Sequence, residues 1–132
     1  MDNKDKLRIY PAKSSECLLS KTFGCSRFVY NTFLSAIKNK TTKSTEKILK
    51  QTYPFLGEVD SISLQQARIN LEAAFKNFKK GNSNYPKFKK RKSKQSFRTV
   101  STRNNIKINF EDKTLKLPKF DPIYSIFFAQ VF

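Results

Sequence analysis

The residues whose types and spacing could do chemistry are cationic and crowded into one stretch. From Tyr85 to Thr99 the chain reads Tyr-Pro-Lys-Phe-Lys-Lys-Arg-Lys-Ser-Lys-Gln-Ser-Phe-Arg-Thr, and no acidic residue occurs between Lys76 and Lys94. Ammonium and guanidinium groups at this density neutralise phosphates and displace their counterions, and rings set among them can stack on bases. Lys76, Lys79, Lys80, Lys87, Lys89, Lys90, Arg91, Lys92, Lys94 and Arg98 are the candidate affinity carriers. Tyr85 and Phe88 are candidate stacking rings, with anchoring as the alternative; Phe97 alternates with polar neighbours and is expected to pack. The bland alternative is a solvated charge run.

Little else in the chain offers reactive chemistry. There is no histidine, which removes the commonest general base and the commonest metal ligand. The carboxylates Asp2, Asp5, Glu16, Glu46, Glu58, Asp60, Glu72, Glu111, Asp112 and Asp121 are scattered, and the one adjacent pair, Glu111-Asp112, suits a turn. Cys17 and Cys25 stand eight apart, which matches neither a disulfide framework nor a zinc pair. Both are expected to be buried, reduced thiols in helices. No catalytic residue, metal site or cofactor is expected.

These groups belong to a chain of 132 residues, enough for one domain or two small subdomains sharing a core. The formal charge of +17 and pI of about 10.1 call for a polyanionic partner. Nucleic acid is that partner. A membrane surface is not expected, since no basic helix carries a wide apolar face. No apolar span of about twenty residues suggests a transmembrane helix. The opening Met1-Asp-Asn-Lys-Asp-Lys6 does not lead into a secretory signal, so a cytoplasmic location is expected.

The elements that must position the cations alternate in period. Leu7 to Tyr10 alternates and stops at Pro11, as an edge strand would. Ser14 or Ser15 offers an N-cap with Glu16 in the first turn, for a short helix ending at Gly24. A second helix is expected from Cys25 to about Lys38, with Val29, Tyr30, Phe33, Leu34 and Ile37 as its apolar stripe. A polar connector from Lys38 to Ser44 leads to a weaker helix from Ser44 to Tyr53 that buries Ile48 and Leu49 and ends at Pro54. The strongest helix starts at an Asp60 cap and ends near Gly81, with Leu64, Ala67, Leu71, Ala74, Phe75 and Phe78 on one face. Its lysines near the C-terminus also suit the helix dipole. After the basic run the period becomes two. Ser96–Val100, Ile106–Phe110 and Thr114–Leu117 read as strands, with a turn at Glu111–Lys113. The tail from Phe120 to Phe132 is apolar, and uncharged after Asp121. It is either one more strand or an uncovered, aggregation-prone terminus.

Several phrases resemble the N-terminal part of TnpB (OrfB) proteins of bacterial transposons. They are Arg8-Ile-Tyr-Pro11, Thr22-Phe-Gly-Cys-Ser-Arg-Phe-Val-Tyr-Asn31, Tyr53-Pro-Phe-Leu with Glu58-Val-Asp60, Leu64-Gln65 with Ala74-Phe-Lys-Asn-Phe78, Tyr85-Pro-Lys-Phe-Lys, Gln95-Ser-Phe-Arg-Thr99, Asn105-Ile-Lys-Ile108 and Leu115-Lys-Leu-Pro-Lys119. The resemblance covers roughly residues 7 to 119 and fades from Asp121. That family comprises RNA-guided DNA endonucleases related to type V CRISPR effectors. The resemblance implies an α+β fold: a partial wedge-type antiparallel β-barrel with a helical recognition insert of three to four helices. It divides the chain into a first barrel strand (1–13), a helical insert (14–81), a basic linker with barrel strands (82–119) and a divergent apolar tail (120–132). It also implies that Ser61, Gln65, Thr102 and Arg103 read a short DNA motif, as side chains of these types can at base edges. The family's RuvC carboxylates and zinc ribbon have no counterpart here, and two-metal cleavage needs such acidic ligands. No enzyme activity is expected, and the connector 38–44 looks shorter than usual in the family.

Three functions follow from the resemblance. The chain is a nuclease-dead binder of structured guide RNA, of duplex DNA, or of both. Alternatively it is an inhibitor or regulator of a full-length RNA-guided nuclease, in the manner of an anti-CRISPR protein. The third alternative is a decayed transposon fragment.

Overall fold

The computed structural model describes residues 4–39 and 46–131. Its elements are β1 (Lys4–Tyr10), α1 (Lys13–Lys38), α2 (Glu46–Thr52), a 3-10 turn (Pro54–Glu58), α3 (Ser61–Lys79), β2 (Lys107–Asn109), β3 (Thr114–Lys116) and β4 (Ile123–Val131). The class is α+β. The chain forms two compact units, Met1–Leu19 with Ser101–Phe132, and Ser20–Val100. The connector from 40 to 45, including the expected helix start at Ser44, lies outside the described residues, as do residues 1–3 and Phe132.

The first unit is built on an antiparallel sheet of order β1-β4-β3-β2. The apolar tail therefore forms an inner strand. β4 pairs with β1 from Tyr10↔Tyr124 to Lys4↔Val131, and with β3 through Thr114↔Tyr124 and Leu115↔Ile123. The β1–β4 register shifts between Lys6 and Leu7, giving β4 one extra residue there, a local bulge. Phe120, Ile123 and Ser125 are buried. The rings of Tyr10 and Tyr124 lie opposite each other, 5.6 Å apart, as a cross-strand pair. Pairing on both edges resolves the exposed-terminus hazard: β1 and β2, not the tail, are the sheet edges. The sheet is open among the described residues, since β1 and β2 do not pair. In β2 the alternation does not translate into burial, and Ile108 stays 40% exposed with Phe110 at 66%. Both border a concavity of about 220 Å³ with Leu7 and Ile126 that no described residue fills.

Asn109 shapes the β2–β3 turn with both ends of its amide. Its Oδ1 accepts from Asp112 N–H at 3.0 Å and its Nδ2 donates to Asp112 Oδ2 at 3.0 Å. This supports the turn expected at Glu111–Lys113, where Lys113 takes a φ of 55°.

The two helices expected before Lys38 are one helix. α1 passes through Gly24 without a break. A glycine inside a helix costs roughly 0.5–1 kcal/mol, too little to end a helix that keeps an apolar face. Thr22, Cys25, Val29, Phe33 and Leu34 supply that face and are buried. The helix also begins before Ser14, so neither Ser14 nor Ser15 caps it, and Ser15 is buried inside it. The glycine that does end a helix is Gly81, with a φ of 78°, just past α3.

The continuous helix also separates the cysteines. Positions eight apart on a helix of 3.6 residues per turn lie about 80° apart around the axis. Cys25 is buried and Cys17 is exposed, correcting the expectation of two buried thiols. Burial, helped by Glu58 and opposed by Lys21, pushes the Cys25 thiol up.

In the second unit, Val29, Phe33, Leu34, Leu49, Leu56, Val59, Leu64, Ala67 and Leu71 form the buried apolar set. Three residues expected inside are on the surface: Ile37 at 39%, Ile48 at 48% and Phe78 at 39% exposed. Ile37 and Phe78 keep the azimuth of their stripes but stand one residue from the C-terminal ends of α1 and α3, past the packed middle, whereas Ile48 is rotated about 100° from the buried Leu49 on α2. Asp60 caps α3 as expected, accepting from Ile62 N–H at 3.3 Å. Arg68 joins α3 to α2 by donating to Glu46, and donates to Glu72 at 2.7 Å on its own helix. The bond to Glu46, followed by that to Glu72, raises the guanidinium's pKa.

Candidate nucleic-acid interface

The basic run is ordered by residues distant in sequence. Asn31 on α1 uses both ends of its amide on the backbone of Lys89. Its Nδ2 donates to Lys89 O at 2.9 Å, and its Oδ1 accepts from Lys89 N–H at 2.8 Å. This two-point bond imitates a strand partner and pins the middle of the run to a helix. Pro86 is buried just before it. A turn follows, in which Ser93 N–H donates to Lys90 O at 3.0 Å, and the Gln95 amide donates to Arg91 O.

Side chains around the run add contacts. The Tyr85 ring meets Phe75 and Phe78 edge-on, at 5.3 and 5.2 Å between centroids. The Lys38 ammonium lies 4.8 Å from the Phe88 ring centre and 5.6 Å from that of Tyr85. The Lys89 ammonium lies 4.4 Å from the Tyr30 ring, within cation–π range. Desolvation by burial pushes the Tyr30 hydroxyl up.

Anchored in this way, every residue from Lys87 to Ser96 is exposed, as are Lys76, Lys79, Lys80 and Arg98. All ten candidate cations therefore meet solvent, and all lie in the second unit. None of them is ion-paired to a carboxylate among the described residues. An ordered surface of unpaired cations suits a polyanion, because part of the ordering entropy is lost before binding.

Ser96–Val100 is not a strand, correcting the period-two reading. It keeps the alternation in burial, with Phe97 and Thr99 partly covered, yet has no ladder partner. Its inward side chains bond instead to helices: Phe97 packs 5.5 Å from Phe23, and Thr99 donates to the Asp60 carboxylate. Asp60 Oδ2 also accepts from Ser63 Oγ at 3.0 Å, so one buried carboxylate fixes both the start of α3 and the end of the run.

Ser61 and Gln65 are exposed on the first half of α3, in the second unit. Thr102 and Arg103 are exposed in the first unit, in a turn where Asn105 N–H donates to Thr102 O at 3.1 Å. Arg103 and Asn104 both take positive φ, 51° and 60°, as the central pair of a type I′ turn requires. Arginine there carries backbone strain on the order of 1 kcal/mol.

Asn31 and Asp60's bond to Thr99 had no signal in the sequence as partners of the run, because they lie 58 and 39 positions away. Replacing Asn31 by alanine should leave the Lys89 N–H and C=O without their partner. The expected result is a local loss of about 1 kcal/mol, read as roughly fivefold faster tryptic cleavage within 87–94. Asn31→Asp, which can accept but not donate, should fall between. Equal cleavage rates for all three proteins would show that the clamp does not order the run.

Comparison with known proteins defines the class first. A family model described as a helix-turn-helix domain, HTH_OrfB_IS605, matches residues 1–47. The chain is 36% identical over 104 residues to a Streptomyces pristinaespiralis protein named "Putative RNA-guided DNA endonuclease", covering 69% of this chain and 26% of that one. It is 28% identical over 128 residues to the Escherichia coli K12 protein "Putative RNA-guided DNA endonuclease InsQ", covering 86% of this chain and 31% of InsQ. It is 33% identical over 111 residues to "Virulence protein VsdF" of Salmonella dublin, covering 67% of this chain and 93% of VsdF. The chain belongs to the TnpB/OrfB family and corresponds to its N-terminal part. It spans about a quarter to a third of the two endonuclease-named relatives.

Proposed function

We propose that this chain is a nucleic-acid-binding member of its family that engages structured, guide-type RNA, duplex DNA, or both, through the basic surface of the second unit. The observation that carries this reading is the run 87–94, fully exposed and held in place by Asn31. The ten cations supply phosphate contacts. Ser61, Gln65, Thr102 and Arg103 are proposed to read a DNA motif, with Gln65 the best suited to a base edge. Tyr85 and Phe88 serve as anchors whose free ring surface remains open to a base. The open sheet stands for part of a wedge-type barrel, with the segments 1–13, 14–81, 82–119 and 120–132 as its first strand, helical insert, basic linker with strands, and tail. Among the described residues no group of three or more acids and cysteines could hold a metal ion. Binding is the activity proposed for the ten cations. No described helix is long and apolar enough to cross a membrane.

A second reading takes up the match that covers 93% of VsdF and 67% of this chain. In that reading the chain regulates a full-length RNA-guided nuclease by competing for its guide RNA or by binding it. Ultraviolet cross-linking and sequencing in the native host separates the readings. Recovery of one guide-like RNA is the expected result. Co-recovery with a nuclease, together with reduced guide occupancy of that nuclease, supports the regulator. Recovery of no enriched RNA or protein overturns both and leaves a decayed fragment.

A further inference from the structure

The sheet of the first unit turns two tyrosine rings to solvent on one face, a feature that the basic run of the second unit does not explain. Tyr10 on β1 and Tyr124 on β4 stand directly opposite each other in the ladder. Their ring centres are 5.6 Å apart and their planes are tilted by 46°. Residues opposite one another in an antiparallel pair share a face, and side chains alternate along each strand. Ile123 and Ser125, on either side of Tyr124, are buried, so Tyr124 and Tyr10 belong to the solvent face. The two tyrosines are 45% and 46% exposed.

A cross-strand ring pair supports a sheet by itself, which is the ordinary reason for one. Three further features point to a ligand. The rings are tilted rather than stacked, so neither covers the other and each keeps surface in water. The face is also cationic. Arg8 shares it, two residues before Tyr10, with its guanidinium carbon 5.9 Å from the centre of the Tyr10 ring. Lys107 shares it from β2, because the ladder runs from Tyr124 to Thr114 and from Thr114 to Asn109, two residues beyond Lys107. Arg8 and Lys107 are exposed, and no position that these pairs place on the face is acidic. The third feature is spacing. Bases in one strand of a duplex rise by about 3.4 Å, less than the distance between these rings. Rings on neighbouring strands therefore suit an extended, unpaired strand, and a four-stranded sheet with rings on its open face is one way proteins receive unpaired bases. A second copy of this chain is a poor occupant, since packing face to face would set these cations against their own counterparts.

We propose that this face is a stacking platform for two successive unpaired bases of single-stranded nucleic acid. Tyr10 and Tyr124 take one base each. The Arg8 guanidinium and the Lys107 ammonium meet the flanking phosphates, and the Thr114 hydroxyl beside Tyr124 meets a base edge. The strand is RNA or DNA. The proposal rests on nucleic acid being the partner, as in the reading above, but on its bases rather than its phosphates and in the other unit.

The test titrates the full chain with short oligoadenylates, as RNA and as DNA, and with abasic strands of equal phosphate count. Ionic strength is held constant, and the ring signals of Tyr10 and Tyr124 are followed by NMR. Both rings should shift upfield with the adenine strands and stay in place with the abasic ones. The adenine strands should bind at least about fivefold tighter, the lower end for one stacked base. Replacing Tyr10 and Tyr124 together by threonine, which suits a strand, should abolish this preference, whereas replacing both by phenylalanine should keep it. Equal binding of adenine and abasic strands by the wild type overturns the platform, and this comparison stands even if the threonine protein unfolds. An unchanged preference in a folded threonine protein overturns it as well. Salt-dependent binding of both strands without ring shifts overturns the platform and leaves the basic-surface reading standing. Ring shifts with the adenine strands, while a structured RNA hairpin fails to bind, support the platform and reject that reading. Equal shifts with RNA and DNA assign the site to either strand, and shifts with RNA alone assign it to RNA.

Discussion

Raising monovalent salt from about 50 to about 200 mM is expected to weaken RNA binding on the order of a thousandfold. Each phosphate contact releases condensed counterions, so log K falls with log salt at a slope near −0.9 per contact on a duplex. Ten exposed cations in one unit, none paired to a carboxylate, can supply about six to ten such contacts. A filter-binding titration across salt checks this directly. Replacing Lys90, Arg91 and Lys92 together by glutamine should flatten the slope by roughly 2 to 3 and leave relative affinities among RNA sequences unchanged. These three are chosen because none of them donates its side chain to a described partner that shapes the run. A response that is flat with salt would reject phosphate contact as the source of affinity.

Deleting residues 121–132 is expected to unfold the sheet of the first unit. β4 lies between β1 and β3, so its removal severs both ladders at once and takes Ile123 and Ser125 from the buried set. What would remain is β1 without a described strand partner and a hairpin of two three-residue strands. An isolated two-stranded hairpin is marginal in water. Amide exchange protection in β1 and β3 should be lost. The graded control is Ile123→Ala, a truncation at a side chain 2% exposed. It should cost about 2–4 kcal/mol and retain the pairing. Unchanged exchange in the deletion protein would show that β4 is not a structural strand.

The local features legible in the sequence were those that depend on neighbours. Alternation marked β1, β2 and β3, the Asp60 cap and Gly81 bounded α3, and Pro54 ended α2. Where the sequence misled, a local signal met a longer-range one. Gly24 looked like a stop, but the buried face from Thr22 to Leu34 continued across it. Ser96–Val100 had the period of a strand, but Phe23 and Asp60 took its inward side chains and no ladder formed. For the candidate site, the identity of the cations was plain, while the means of holding them was not. Asn31 reads as an ordinary helix residue until the chain brings Lys89 to it.

By itself the sequence determined the charge, the lack of histidine and the succession of short phrases that mark its family, because these are properties of residue type and order. It also determined that a dense cationic run follows the strongest helix. Only the tertiary structure decided that this run is anchored rather than loose, that the apolar tail is an inner strand rather than a free end, and that Tyr10 and Tyr124 stand side by side on one face of the sheet. The physical reason is common to all three. Each depends on pairing groups tens of residues apart, and such pairing is fixed by which buried faces close on one another, not by the residues beside them in the chain.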